Sequence, residues 1–170
     1  MSNEFEIIEK TLGSVVEIEE RVPVWRMPTT FGRDFQRIAD YIESRGAKVT
    51  GMPYARYVDM NWEKELNRGK LATFFAMLAK QWHFFVGMSA SKPVSGEGAL
   101  KSQELGSQHY ARAVHRGPYK ECGATYKALF DWVKAQGVSL QNQAIECYAN
   151  DPNEVAEADL ETVILIPLQD

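Results

Sequence analysis

The stretch Ala144-Ile145-Glu146-Cys147-Tyr148-Ala149-Asn150-Asp151-Pro152 is a short apolar run with one carboxylate in its middle and a turn signal at its end, and it reads as a β-strand entering a loop. With the strand period of two, Glu146 and Tyr148 share one face and Ile145 and Cys147 the other. The second pair belongs to a core. The first sets an acid beside a phenol, where the carboxylate either points to solvent or sits in a partly enclosed aromatic site and needs a partner.

Upstream of this strand, Tyr110 to His115 reads as another strand, and Gly117-Pro118 opens a helix with Tyr126, Leu129, Phe130 and Val133 on one face, closed by Gly137. The same order occurs earlier in the chain. Phe5 to Glu9 and Ser14 to Glu19 alternate as strand segments separated by a break at Thr11-Leu12-Gly13. Pro28-Thr29-Thr30 then opens a helix with Phe31, Phe35, Ile38 and Ile42 at helical spacing and Gly46 as its C-cap, followed by strands at Tyr54 to Met60 and Trp82 to Met88. Leu105-Gly106-Ser107 echoes Leu12-Gly13-Ser14. One near-constant offset pairs Arg116 with Arg26, Pro118 with Pro28, Tyr126 with Phe35, Leu129 with Ile38, Gly137 with Gly46 and Tyr148 with Tyr57.

This repeat predicts an α+β fold: a tandem, pseudo-twofold βαββ duplication, with antiparallel sheet, helices on one face and a ligand groove between the halves. Residues 1–170 read as one domain of two repeats, about 1–94 and 99–170, joined at Pro93-Val94-Ser95-Gly96-Glu97-Gly98. The offset sets Ala55 opposite Glu146. The acid is present in the second half only, so the duplication is asymmetric at its centre.

Composition narrows the function. The chain has 45% hydrophobic and 25% charged residues and a net charge of -4, and it lacks the basic runs that contact phosphate backbones, so direct nucleic-acid binding is not expected. No window reaches the roughly 20 apolar residues of a membrane span and Met1-Ser2-Asn3-Glu4 has no secretory pattern, which predicts a cytoplasmic protein. Cys122 and Cys147 have no metal-type spacing to each other or to His83, His109 and His115, so free thiols, no metal and no cofactor are expected. Haem binding would have only the histidines to support it. Cys122, at the first turn of the second helix, is placed where a helix N-terminus can lower a thiol pKa.

The stretch from Asn61 to Gln81 has no counterpart in the second half. It carries Trp62, Leu66, Leu71, Phe74, Phe75, Met77 and Leu78, and reads either as helical turns packing over the sheet or as an aromatic, Met-rich lid beside the groove.

His115-Arg116-Gly117-Pro118-Tyr119, Glu146-Cys147-Tyr148-Ala149-Asn150-Asp151-Pro152 and the terminal Ile166-Pro167 together resemble the GyrI-like small-molecule-binding family, which also supplies the effector-binding domain of AraC-type and MerR-type multidrug regulators. The resemblance is strongest from about Tyr110 to Leu168. In the first half Met27-Pro28 stands where Gly-Pro-Tyr would be, and the segment after Asp59 is longer than in the plainest members. The resemblance implies binding of lipophilic, often cationic, planar compounds between the halves, with the glutamate matching Glu146 facing the ligand among aromatic side chains. This agrees with the residues themselves: a carboxylate in an aromatic cleft attracts a delocalised cation without a directional hydrogen bond, and rings add cation–π contacts of about 0.5–2 kcal/mol each.

The expected ligand-binding set is Glu146, Tyr148, Tyr57, Ala55, Tyr119, Trp62, Trp82, Phe85 and Met88, with lipophilic cationic or aromatic small molecules as partners. Two other classes stand beside binding, the first on the same residues and the second through an acidic surface. Hydrolysis of strained electrophiles would employ Glu146 and Tyr148 on water, and the family also includes inhibitors of a protein partner, DNA gyrase. No Ser/His/Asp set, Cys/His pair or phosphate loop calls for catalysis, so binding is the reading preferred.

Overall fold

The computed structural model describes residues 4–66 and 80–169. Among these residues lie six strands, β1 (Glu6–Pro23), β2 (Val49–Tyr57), β3 (Gln81–Ala90), β4 (Leu100–Arg116), β5 (Ala144–Tyr148) and β6 (Glu161–Pro167), with helices α1 (Met27–Ser44), α2 (Trp62–Leu66) and α3 (Cys122–Gln136). All strand pairs are antiparallel. Their order is β1-β3-β2-β5-β6-β4, and β4 returns to pair with β1 so that the sheet closes. The fold is α+β, as the repeated strand–helix–strand–strand order predicts.

Hydrophobic periodicity fixes which side faces which layer. Val16, Ile18, Ala55, Phe84, Val86, Ala113 and Ile164 project to one face, where Ile38 and Ile42 of α1 and Leu129 and Val133 of α3 complete the main core. Alternate residues, among them Val15, Tyr54, Ile145, Cys147, Val163 and Leu165, form a second cluster on the far face. Cys147 and Ile145 are therefore core, as strand alternation implies. α1 lies across β3, β1 and β2, and α3 across β4. Both helices end at glycines in the left-handed region, Gly46 (φ 70°) and Gly137 (φ 71°).

The two segments expected around Thr11-Leu12-Gly13 are one continuous strand. Gly13 takes φ 74° within it and pairing to β4 runs on from Thr11 with Ser107 to Gly13 with Leu105, because a glycine absorbs the bend without ending the ladder. The two Leu-Gly echoes thus lie against each other where β1 meets β4. At the other junction, β2 meets β5 with Ala55 opposite Glu146, Tyr54 opposite Cys147 and Tyr57 opposite Ala144. Ala55 and Glu146 are partners both in register and in repeat, so the pseudo-twofold axis runs through this pair.

The helix entries differ from the expected offset. Pro118 precedes the 3-10 turn Tyr119–Glu121 and Pro23 precedes the 3-10 turn Val24–Arg26, so Pro23 and not Pro28 is the positional match of Pro118. α1 has 18 residues against 15 in α3, which accounts for the drift between strand end and helix end. Of the inserted stretch, α2 is described, and the turns expected at Phe74, Met77 and Leu78 lie outside the described residues.

The far face carries a second glutamate. Glu17 on β1 is fully buried and its carboxylate accepts hydrogen bonds from Tyr54 Oη (2.8 Å), Arg56 Nε (3.0 Å), Arg56 Nη2 (2.6 Å) and Gln103 Nε2. The Arg56 guanidinium also stacks 4.3 Å from the Phe85 ring centroid. A carboxylate so fully donated to and paired with a cation ties β1, β2 and β4 together, and removing either ion would strand the other. Tyr54 reaches Glu17 by lying over Gly87, where an added Cβ would sit 2.4 Å from the Tyr54 Cζ. The ring cannot swing aside without releasing Glu17. Gly87→Ala is therefore expected to destabilise the fold by about 1–3 kcal/mol, the usual cost of overpacking, measured as a lowered urea midpoint. An unchanged midpoint would show that the ring has room to move.

Candidate functional site

Glu146 stands on β5 at the pseudo-twofold axis, on the helix-side face, and three phenols converge on it. Tyr126 of α3 donates to Oε1 at 2.9 Å, Tyr148 of the same strand donates to Oε2 at 3.2 Å, and Tyr57 of β2 reaches Oε2 at 3.5 Å, the outer limit of a hydrogen bond. Strand period explains two of them. Tyr148 is two residues along β5, and Tyr57 stands two residues past Ala55, so both project to the same side as the carboxylate. Ala55 itself, with no side chain beyond Cβ, leaves the space opposite Glu146 to the rings.

An aromatic shell surrounds this centre. Phe31 and Phe35 of α1 lie 5.7 and 6.1 Å from the Tyr148 ring, and Tyr119 packs edge-on against it at 5.7 Å. Phe84 touches Tyr57 (5.7 Å) and Phe31 (5.4 Å), and Trp82 touches Tyr57 at 6.1 Å. Burial is graded across the set. Ala55, Tyr57 and Phe84 form a buried floor, whereas Glu146, Tyr148, Tyr126, Phe31 and Phe35 are half-buried and Tyr119 is exposed. Two concavities of about 450 and 220 Å³ lie elsewhere, the first beside Arg56, Asp59 and Asn142, the second on the far face of β5 and β6.

Burial raises the Glu146 pKa above the ordinary carboxylate value, and the three tyrosine hydroxyls and the charge of His115 oppose the rise. Tyr57, Tyr126 and Tyr148 are held well above the ordinary phenol value, chiefly by burial. They act as donors and keep their protons. Among the described residues no cation lies within ion-pair distance of Glu146. That is the difference from Glu17, which has Arg56. Two further polar atoms on this face, Trp82 Nε1 and Thr162 Oγ1, are buried with no hydrogen-bond partner among the described residues; Thr162 sits between Tyr148 and His115 in the strand register.

The expected site residues divide. Glu146, Tyr148, Tyr57, Ala55, Tyr119 and Trp82 come together around the axis. Trp62 stacks on Tyr126 (5.8 Å) and Phe130 (4.8 Å) and donates Nε1 to the Gln141 carbonyl, so it braces a site residue from behind. Met88 is buried in the helix-side core. Phe85 is a correction: it projects to the far face against Arg56, and Phe84, opposite Tyr57 in the register, takes the place assigned to it. Tyr126, Phe31 and Phe35 were read from sequence as helix core only. A tyrosine on a buried stripe carries a hydroxyl that needs a partner, and this was the available signal for Tyr126.

The remaining reactive groups have structural explanations. His115 is buried, its Nε2 donates to the Pro118 carbonyl (3.0 Å) and its Nδ1 faces Thr125 Oγ1 (2.8 Å), which clamps the Gly117-Pro118 turn onto α3. His83 lies between Asp59 and Glu19. Both ring nitrogens of each histidine are engaged. Cys122 departs from the helix-terminus expectation, since burial and the nearby Glu146 charge push its thiol up, not down. No described helix is long and apolar enough to cross a membrane.

Comparison with known proteins bears on the fold. The chain is similar in fold to the C-terminal domain of EcmrR (18% identity, 100% of this chain and 99% of that one, TM-score 0.74), to a hydrolase encoded by lin2189 from Listeria innocua (10% identity, 98% and 92%, TM-score 0.65) and to SAV2435 bound to tetraphenylphosphonium (11% identity, 99% and 100%, TM-score 0.59). At these identities the likeness is one of fold. No curated protein sequence matches the chain significantly. The family model described as GyrI-like small molecule binding domain matches residues 71–169, more than half of the chain and the whole of the second βαββ unit, and the chain belongs to that family.

Proposed function

We propose that this domain binds lipophilic aromatic cations at Glu146, as a sensing or sequestering module. One observation carries the reading: the Glu146 carboxylate is hydrogen-bonded by phenols yet has no cation within ion-pair distance among the described residues, in a shell of half-buried rings. Phenol donors orient a carboxylate and make its burial tolerable without neutralising it. A delocalised cation would supply the missing charge, and Phe31, Phe35, Tyr119 and Tyr148 the ring faces that suit it. The orphaned Trp82 Nε1 and Thr162 Oγ1 suit a ligand that also carries an acceptor atom. That SAV2435 is described with tetraphenylphosphonium bound is in keeping with this chemistry on the same fold.

Hydrolysis would call on Glu146 and Tyr148 as well. Burial holds the three nearby tyrosine hydroxyls above the ordinary phenol pKa, so they serve as hydrogen-bond donors to the carboxylate, which is the role the binding reading gives them.

Three outcomes are expected. Glu146→Gln weakens tetraphenylphosphonium by about 1–3 kcal/mol, roughly five- to 150-fold, and leaves neutral triphenylphosphine oxide nearly unchanged in isothermal titration. Equal loss for both ligands would mean that Glu146 acts through shape. Cation affinity also depends on pH with a definite sign. The cation binds the carboxylate form, and the pKa of the empty site is raised, so affinity falls as pH is lowered through that raised value and binding releases protons there; affinity flat across the acid range would contradict this. The stability of the empty protein runs the other way. A raised carboxyl pKa means that the contribution to folding is fullest below the unfolded value and is lost as pH rises through the folded one, so Glu146→Gln gains stability relative to wild type as pH increases. Urea midpoints of the two proteins across pH measure this, and a wild-type midpoint that climbs relative to that of Glu146→Gln with increasing pH would reverse the assignment.

A further inference from the structure

The far face of β5 and β6 holds the smaller concavity, of about 220 Å³, and its origin lies in β2. Gly51 takes φ 70°, the β2–β3 register breaks between Thr50 and Tyr54, and pairing of β2 with β5 stops at Tyr54 and Cys147. Beyond that point β2 leaves β5, and Met52 becomes a wall of the resulting gap. The opposite wall is the N-terminal part of β1, which runs along β4 and contributes Ile8 and Lys10. Val163, Leu165 and the Cys147 side chain make the base.

The charged side chains lining this concavity are Lys10 and Arg112. Arg112 is also paired to Glu6 at 2.5 Å. Lys10 is half-buried and, among the described residues, has no hydrogen-bond or ion-pair partner. Lys10 and Cys147 line the same concavity, and the lysine charge opposes the effect of burial on the thiol. The thiol stays protonated near neutrality and behaves as part of an apolar floor.

We propose that this concavity is a second binding site, for a small amphipathic anion, with the carboxylate of the ligand on Lys10 and Arg112 and its hydrocarbon on Ile8, Met52, Val163 and Leu165. The space equals about seven water volumes, which suits a carboxylate with about eight carbons or a bicyclic aromatic acid. The site lies on the opposite face of β5 from Glu146 and has the opposite charge preference. It does not rest on the function proposed for Glu146.

The test uses the whole chain, with octanoate and 2-naphthoate as probes and octanol as the uncharged control, followed by amide chemical shifts and isothermal titration. Saturable octanoate binding is expected, with the largest shifts on β5, β6 and the start of β1. Lys10→Met should weaken octanoate about tenfold and leave octanol unchanged, while Glu146→Gln should leave octanoate binding intact. Absence of saturable binding, equal loss of octanoate and octanol in Lys10→Met, or loss of octanoate in Glu146→Gln would each overturn the proposal. Failure of the Glu146→Gln test with tetraphenylphosphonium would leave this outcome untouched, so the two sites are judged separately.

Discussion

The pairing of β2 with β5 at Ala55 and Glu146 is the constraint on which the rest of the molecule depends. It joins the two halves at the centre of the sheet, and a slip of one residue would turn every side chain of β5 to the other face. Glu146 would then enter the far-face cluster and Cys147 the aromatic shell. The register is held from both sides, by the helix-side core through Ala55 and Ile164 and by Tyr54 and Cys147 on the far face. A five-residue strand thereby presents its glutamate at one geometry.

Two buried or half-buried glutamates show what neutralisation does. Glu17 has Arg56, Tyr54 and Gln103, and its charge is balanced inside the protein. Among the described residues Glu146 has hydroxyls alone within hydrogen-bond reach. Both satisfy the rule that buried polar atoms find partners, and one of them also satisfies the rule for charge. The unbalanced one lies at a duplicated position where the other half has Ala55. At the symmetric position the small Ala55 side chain leaves the space opposite Glu146 to the tyrosine rings.

Much of this was legible in the amino-acid order. The period of β5 puts Glu146 and Tyr148 together, and the near-constant offset brings Tyr57 and Ala55 to the same place. Parity alone separates Phe85 from Trp82 and Met88, since an odd position on β3 cannot share a face with even ones. The Phe84-Phe85 doublet hides that parity in an unbroken apolar run. Glu17 could not be distinguished from Glu19 and Glu20 by composition or period, because its role is set by Arg56 and Gln103 on other strands. The helix entry was misaligned because each half has a proline near its helix start, and only the 3-10 turns show that Pro23 matches Pro118. Tyr126 reads as a core residue until the sheet brings Glu146 beneath it.

The central claim is that Glu146 is an uncompensated carboxylate whose burial is relieved by a cation. Its most direct measurement is the carbon-13 chemical shift of the Glu146 side-chain carboxyl followed through a pH titration, in the free protein and with tetraphenylphosphonium bound. The account predicts a pKa above the ordinary glutamate value in the free protein, as burial dictates, and a clear fall once the cation is bound. An ordinary or depressed pKa in the free protein, unmoved by the cation, would contradict it.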